Sequence, residues 1–211
     1  MCYNRYMETY DVLSLLHILR LCLSSVEHAE TQVDEFEGAL PGVRRAAVLV
    51  PLFEQGGEAS LAFIRRAATL RSHSGEIAFP GGSVDPTDAS LVMTALREAE
   101  EEIGLKPSNV EVLGVLPPIA TVVSNFLITP VVAFLPHGLG ELRLQTSEVH
   151  EMLLFPLRGL SDPAILHTEQ WTRDNVTRVV YFYDYASHCI WGATGRILNI
   201  LLKLLRDPPA L

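Results

Sequence analysis

Four glutamates within five residues, followed closely by a glycine, constrain this chain more than any other feature: Leu96 to Leu105 reads LREAEEEIGL. With about 100° per residue on a helix, Glu102 falls about 40° from Glu98 and Glu101 about 60° to its other side, so three carboxylates share a face while Glu100 points away. Val92, Ala95, Leu96, Ala99 and Ile103 form a separate apolar stripe, the seam by which such a helix packs on a core. Acids at a helix C-terminus oppose the macrodipole by about 0.3–1 kcal/mol each when exposed, and the like-charged pair Glu98 and Glu102 at i,i+4 adds about 0.2–0.5 kcal/mol. Arg97, four residues before Glu101, offsets part of this cost. A hard divalent cation would offset the rest, since Mg²⁺ takes oxygen ligands and typically uses one or two carboxylates plus waters and substrate phosphates. A solvated acidic helix end is the alternative.

Composition narrows the setting. The 211 residues, 48% of them hydrophobic, suffice for one substantial core. A net charge of -9, from 16 basic and 25 acidic residues, argues against a general grip on nucleic acid through phosphate neutralisation. Cys2, Cys22 and Cys189 lie far apart without a CxxC pair, which suggests neither a zinc knuckle nor a disulfide framework and fits a reducing cytoplasm. The apolar run Val12 to Leu23 is short for a membrane span and carries His17 and Arg20. It reads as a buried or partner-packing N-terminal helix, with a homodimer contact as one use for it.

Runs rich in Val, Ile and Phe predict strands at Ala46 to Phe53, Ser60 to Arg65, Val110 to Leu116, Leu127 to Leu135 and Arg178 to Tyr183. Helical patterns interrupt them at Ser90 to Ile103 and Thr194 to Leu205. The alternation predicts an α/β fold, with helices layered on a mixed sheet. TSEVHEMLLF, which carries Glu148 and Glu151 as possible general bases, reads as a short amphipathic helix before a strand. His150-Glu151 does not begin a zincin motif, because Leu154 stands four residues after His150. Tyr181, Phe182, Tyr183 and Trp191 read as core aromatics rather than as a stacking site.

The segment before the acidic helix, FPGGSVDPTDAS (Phe79 to Ser90), supplies a Gly-Gly turn that lets backbone approach a ligand, then Asp85, Thr87, Asp88 and Ser90 as candidate N-caps. Together with REAEEEIGL this segment resembles the Nudix box, G-x5-E-x7-R-E-U-x-E-E-x-G-U with U a bulky aliphatic residue. Arg97, Glu98, Glu101, Glu102, Gly104 and Leu105 match it, whereas Ala99 stands at the aliphatic position. The first half is shifted: counting from Gly82 places an acid at Asp88, one residue further from Arg97 than in the box. Upstream, Arg66, Ala67, Arg71, Gly75, Phe79, Pro80, Gly81 and Gly82 resemble the additional motif of the coenzyme A pyrophosphatase branch, LLTxR[SA]x3Rx3Gx3FPGG, although Ala62, Phe63 and Ile64 replace its opening. IWGATGRIL, Ile190 to Leu198, is similar to the C-terminal helix of that branch.

The resemblance implies a Nudix-like α/β/α sandwich with a mixed β-sheet over residues 41–211, preceded by an N-terminal helical extension over residues 1–40. It implies hydrolysis of a diphosphate bond in a small molecule, coenzyme A or a related nucleoside diphosphate, with Mg²⁺ or Mn²⁺ held by Glu98, Glu101 and Glu102 and with Arg97 holding Glu101 in register. Arg66, Arg71, Gly81 and Gly82 are the expected substrate-binding residues. Arg65, Arg66, Arg71 and His73 form the densest basic patch, and guanidinium forks suit phosphate oxygens. ADP-ribose, NADH or a nucleoside triphosphate are alternative substrates, and a non-catalytic ligand sensor is a third reading; the intact set of glutamates weighs against the last. No nucleic-acid or membrane partner is expected.

Overall fold

Strict alternation along β1 (Arg44–Gln55) decides the architecture. Ala47, Leu49 and Phe53 are buried in one apolar cluster, while Val50 and Leu52 are buried in another, so this strand lies between two cores. The computed structural model describes residues 11–28, 31, 33, 42–69, 73–121, 125–173 and 175–208. β2 (Glu58–Arg66) folds back antiparallel from β1 through Gly56 and Gly57, whose φ values of 61° and 83° suit a two-residue hairpin turn. Beyond β2 lie β3 (Ile77–Ala78) and, on a separate pairing, β8 (Val149–Pro156). On the other side β1 runs parallel to β7 (Phe126–Leu135), which pairs antiparallel with β5 (Glu111–Val115) and β6 (Ile119–Ala120). The short β4 (Gly81–Ser83) joins β1 at Ala46 to Val48, giving an eight-stranded mixed sheet.

Helix α2 (Leu91–Ile103) covers one face through Leu91, Ala95, Ala99 and Ile103. The other face takes α1 (Val12–Cys22) and α4 (Gly192–Arg206), which pack on each other, so the layers are α/β/α as the resemblance implied. Asp11 caps α1 by accepting from the Ser14 N–H, and Val12, Leu15, Leu16, Ile18 and Leu19 are buried in the chain's own core. The N-terminal helix is therefore a layer of this domain; the boundary expected near residue 40 lies outside the described residues. Among the described residues, no helix is long and apolar enough to cross a membrane.

The chain between β8 and α4 carries the short α3 (Leu157–Leu160) and then a second sheet of β9 (Leu166–Arg173), β10 (Val176–Tyr185) and β11 (His188–Ile190). Two corrections arise here. The segment around Glu148 and Glu151 is not a helix: Val149 begins β8, which buries Val149 in one apolar cluster and Leu153 and Phe155 in the other across a register shift, and β2 offers it an edge from Ser60 to Arg66. The strand expected at Arg178 to Tyr183 is longer at both ends and is one arm of a hairpin whose other arm, β9, gave no apolar signal because it is exposed from His167 onward.

Candidate active site

Helix α2 starts where Ser90, in extended backbone, accepts a hydrogen bond from the Met93 N–H, and it ends at Gly104, whose φ of 72° is the left-handed conformation that favours glycine. Of the four candidate caps, Ser90 performs the capping. Asp85 and Asp88 instead build the turn before it: Asp85 accepts from the Thr87 N–H and hydroxyl, and Asp88 accepts from the Asp85 N–H and the Thr94 hydroxyl.

The helix then sorts its acids by depth. The Glu102 side chain is 3% exposed, Glu98 16% and Glu101 60%. Glu102 accepts from the Gly81 N–H at 2.9 Å, which ties the helix to β4. Burial pushes the Glu102 carboxyl up to about 7, against the lowering effects of the Gly81 N–H and Arg66. Glu98 is also raised, by burial first and then by the charges of Glu101 and Glu148, with Arg97 acting in the opposite direction. The charge of Glu98 also acts to raise Glu102, and Glu148 acts on both.

Arg97 is the hub beneath this pair. Its Nε and Nη2 donate to the two Asp88 carboxylate oxygens at 3.0 and 2.9 Å, its Nη1 to Glu98 at 2.9 Å and Glu101 at 3.1 Å, and its Nη2 to the Ser83 carbonyl at 3.1 Å. The fork from Arg97 holds the Asp88 carboxyl well below the usual carboxylate range. The expected role of Arg97, holding Glu101 in register, is thus one of several; its two-pronged partner is Asp88, the displaced early acid of the box. The signal for it was in the sequence, because an arginine surrounded by acids will fork onto whichever carboxylate is fixed by a turn.

The two glycines act by absence. A Cβ on Gly82 would lie 2.5 Å from the Glu98 carboxyl carbon, so the missing side chain is the space that the carboxylate occupies. A Cβ on Gly81 would lie 2.4 Å from the Ala47 carbonyl and 2.6 Å from the Val48 Cα, both backbone. The two alanine variants should therefore separate. Gly82→Ala displaces only the flexible end of Glu98 and is expected to lower kcat about tenfold or more with stability changed by about 0.5 kcal/mol. Gly81→Ala must part β4 from β1 and is expected to cost about 2–4 kcal/mol. Thermal unfolding alongside steady-state kinetics distinguishes them, and an equal loss of stability in both would contradict this division.

Arg66 approaches Glu102, Nη1 to Oε1, at 3.8 Å, and its Nε is buried without a hydrogen-bond partner. Arg65, one residue earlier on β2, faces the opposite side: it donates to Glu151 at 2.7 Å and to the Gly75 carbonyl at 3.3 Å, and its Nη2 lies 2.7 Å from His188 Nδ1. The expected basic patch is therefore divided. Arg66 belongs with the acids, Arg65 fastens β2 to β8 and β11, and His73 pairs with Glu76 at 2.9 Å; Arg71 lies outside the described residues. Glu151 is committed to Arg65, whose hydrogen bond lowers its pKa, and this removes it from the acid pair.

Among the described residues no three His, Cys, Asp or Glu side chains converge as a ready cage for a metal ion. The donors that do lie together, the half-buried Glu98 and buried Glu102 beside the backbone of β4, are hard oxygens, and burial makes their charge costly unless something positive joins them. Two carboxylates of this kind fit Mg²⁺ or Mn²⁺ better than a softer ion. Glu101 stands apart, exposed and held by Arg97.

A family model for the NUDIX domain matches residues 43–178. The chain is 42% identical over 160 residues to a protein of Photorhabdus laumondii described as "Uncharacterized Nudix hydrolase NudL", covering 76% of this chain and 84% of the relative. It is 41% identical over 171 residues to the NudL of Cronobacter sakazakii, covering 79% and 85%. Among solved structures, a NUDIX hydrolase from Alicyclobacillus acidocaldarius is similar at 24% identity and a TM-score of 0.47, over 58% of this chain and 82% of that one. On the family model and the NudL relatives, this chain belongs to the Nudix hydrolase family.

Proposed function

We propose that this Nudix pyrophosphohydrolase cleaves the diphosphate bridge of coenzyme A or an acyl-CoA, with Mg²⁺ or Mn²⁺, releasing 3′,5′-ADP and 4′-phosphopantetheine or its acyl form. The observation that carries the reading is Arg66. Its guanidinium makes no hydrogen bond among the described residues, its Nε is buried without a partner, and it stands 3.8 Å from the acid that the metal would share. A cation whose ion pair to Glu102 is long and whose donors are not spent on hydrogen bonds suits a phosphate oxygen. The resemblance of Arg66, Arg71 and FPGG to the coenzyme A pyrophosphatase motif points to the same substrate class.

Glu98 and Glu102 would hold the ion, and the chemistry it supplies there is neutralisation of diphosphate charge and acidification of a water. Arg97 keeps Glu98 turned toward β4, and Gly82 leaves the room for it. For the general base we take Glu148, which lies outside α2 and whose charge acts on both Glu98 and Glu102.

The test incubates the purified protein and Mg²⁺ with coenzyme A, dephospho-coenzyme A, ADP-ribose and NADH and resolves products by chromatography. Coenzyme A is expected to have the highest kcat/KM, dephospho-coenzyme A about tenfold less, and Arg66→Ala to lower the value for coenzyme A by about 10–100-fold. Equal values with and without the 3′-phosphate would remove the assigned substrate. No turnover of any of the four would favour a ligand sensor.

A further inference from the structure

The β9–β10 hairpin contributes no residue to the acid pair on α2 or to the arginines around it. Among the described residues, β9 pairs only with β10, so its other edge is open, and its register against β10 runs from Leu166 to Arg173 without a bulge. The strand carries no lysine or proline, and the charged residues it does set along this edge strand, Glu169 and Arg173, are of opposite sign. From His167 to Val179 the described residues are exposed on both faces, with Trp171, Val176 and Val179 each nearly half exposed. Two strands covered on neither face are marginal in water.

One end of this surface is rigid. Phe182 stacks on His167 at 4.8 Å and on Trp191 at 6.0 Å, both within 4° of parallel, and Trp171 leans on Phe182 and Trp191 at 6.2 and 5.8 Å. The Trp171 indole N–H donates to Glu169 at 2.6 Å, which lays the ring along its own strand. The turn between Arg173 and Val176 spans two residues, with Asn175 at a φ of 60°. In such a hairpin the residues flanking the turn exchange both hydrogen bonds, so Arg173, Trp171 and Glu169 direct their backbone groups at β10, and Thr172, Gln170 and Thr168 direct theirs at the open edge.

From this geometry we infer that β9 is a dimer interface, pairing antiparallel with β9 of a second copy about a two-fold axis at Trp171. In that register Gln170 and Thr172 exchange backbone hydrogen bonds across the axis, and Trp171 meets its counterpart in the closer, non-hydrogen-bonded pairing. Glu169 falls opposite the partner's Arg173, and Arg173 opposite the partner's Glu169. The occupant follows from that self-complementarity: a strand with an acid two residues before its centre and a base two residues after it matches its own reverse. Centring the axis on Gln170 instead places His167 opposite the partner's Arg173 and loses both ion pairs. Arg173 also has an interaction within its own chain, so the intermolecular pair competes with it. The product is a continuous six-stranded sheet, two copies of the three-stranded one, in which neither β9 remains an edge.

Sedimentation equilibrium of the full chain tests this directly. The wild type is expected to be dimeric at tens of micromolar. Gln170→Pro removes an edge-facing N–H and should give monomer, with coenzyme A hydrolysis or thermal unfolding reporting that the fold survives. Glu169→Arg and Arg173→Glu should each weaken dimerisation at least about tenfold, and the double reversal E169R/R173E should recover most of that loss. A monomeric wild type would overturn the inference. So would a dimer indifferent to Gln170→Pro, which would place the contact on another face, or a double reversal no better than its single variants.

Discussion

Glu102→Gln is expected to cut hydrolysis by at least about a hundredfold while making the metal-free protein more stable at pH 8. The two effects share one cause. Glu102 is buried, and its carboxyl is pushed up to about 7 from an ordinary value of 4.5. A group whose folded pKa lies above its unfolded one binds more protons when folded, so metal-free stability is highest below about pH 4.5, falls as pH rises toward 7, and is flat beyond it. A tenfold change in a proton affinity corresponds to about 1.4 kcal/mol, so the ionised Glu102 costs on the order of 3 kcal/mol at pH 8. Glutamine keeps the size and an oxygen for the Gly81 N–H and removes the charge. The variant should therefore match wild type near pH 4 and exceed it at pH 8 when a chelator is present. Addition of Mg²⁺ should reverse the order at pH 8, because a divalent ion that binds only the folded wild type stabilises it by mass action. Denaturant titrations at the two pH values, with and without the metal, measure all four quantities. If the variant is less stable than wild type in chelator at pH 8, the account of the acid pair as a strained site awaiting a cation fails.

How far this site could be read beforehand depends on whether the signal was local. Ser90, the stripe of Ala95, Ala99 and Ile103, and Gly104 declare a helix with both its ends, because capping and 3.6-residue periodicity are properties of adjacent residues. The ranking of its acids was less accessible. An angular projection puts Glu98, Glu101 and Glu102 on one face, but only the close approach of β4 to β1 decides that Glu102 is sealed in and Glu101 left in solvent. Arg65 and Arg66 seemed one basic patch, yet neighbouring residues on a strand point to opposite faces, and the strand was already visible; that division could have been drawn from the period of two. The β8 strand was hidden for a different reason. Val149 to Pro156 pairs with β2, nearly ninety residues earlier, and its pattern suits a helix until that edge is supplied. The exposed β9 gave no apolar alternation, since from His167 onward all its residues remain exposed.

Arg97→Ala is expected to lose about 2–4 kcal/mol of stability, or roughly 5–15 °C in Tm for a chain of this size. Asp88 is the reason. Its side chain is 5% exposed, and the two-pronged bond from Arg97 is the first cause of its depressed pKa. Removing the arginine leaves a buried carboxylate with only the Asp85 N–H and the Thr94 hydroxyl, while breaking just one partner of a buried pair is the costly case. The Arg97 side chain is itself about a quarter exposed, which is why the expectation sits at the lower end for buried pairs. Lysine should recover part of the loss, because one ammonium cannot reproduce a fork. Asp88→Asn in the Arg97→Ala background should cost less than it does alone, giving a coupling of about 1–3 kcal/mol in a double-mutant cycle. The pH dependence has a definite sign: a depressed folded pKa gives stability that is present above the unfolded value of about 4 and lost as pH falls through the folded one. The wild-type advantage over Arg97→Ala should therefore persist from pH 8 down to about pH 4 and shrink only in stronger acid. Catalysis responds through Glu98, which loses the donor that aims it at β4, so kcat is expected to fall about 10–100-fold with KM little changed, as for a group acting through a metal ligand. Additive single losses in the cycle would instead mean that Arg97 and Asp88 are neighbours without a shared energetic role, and the Nudix helix of this chain would have to be anchored by its apolar seam alone.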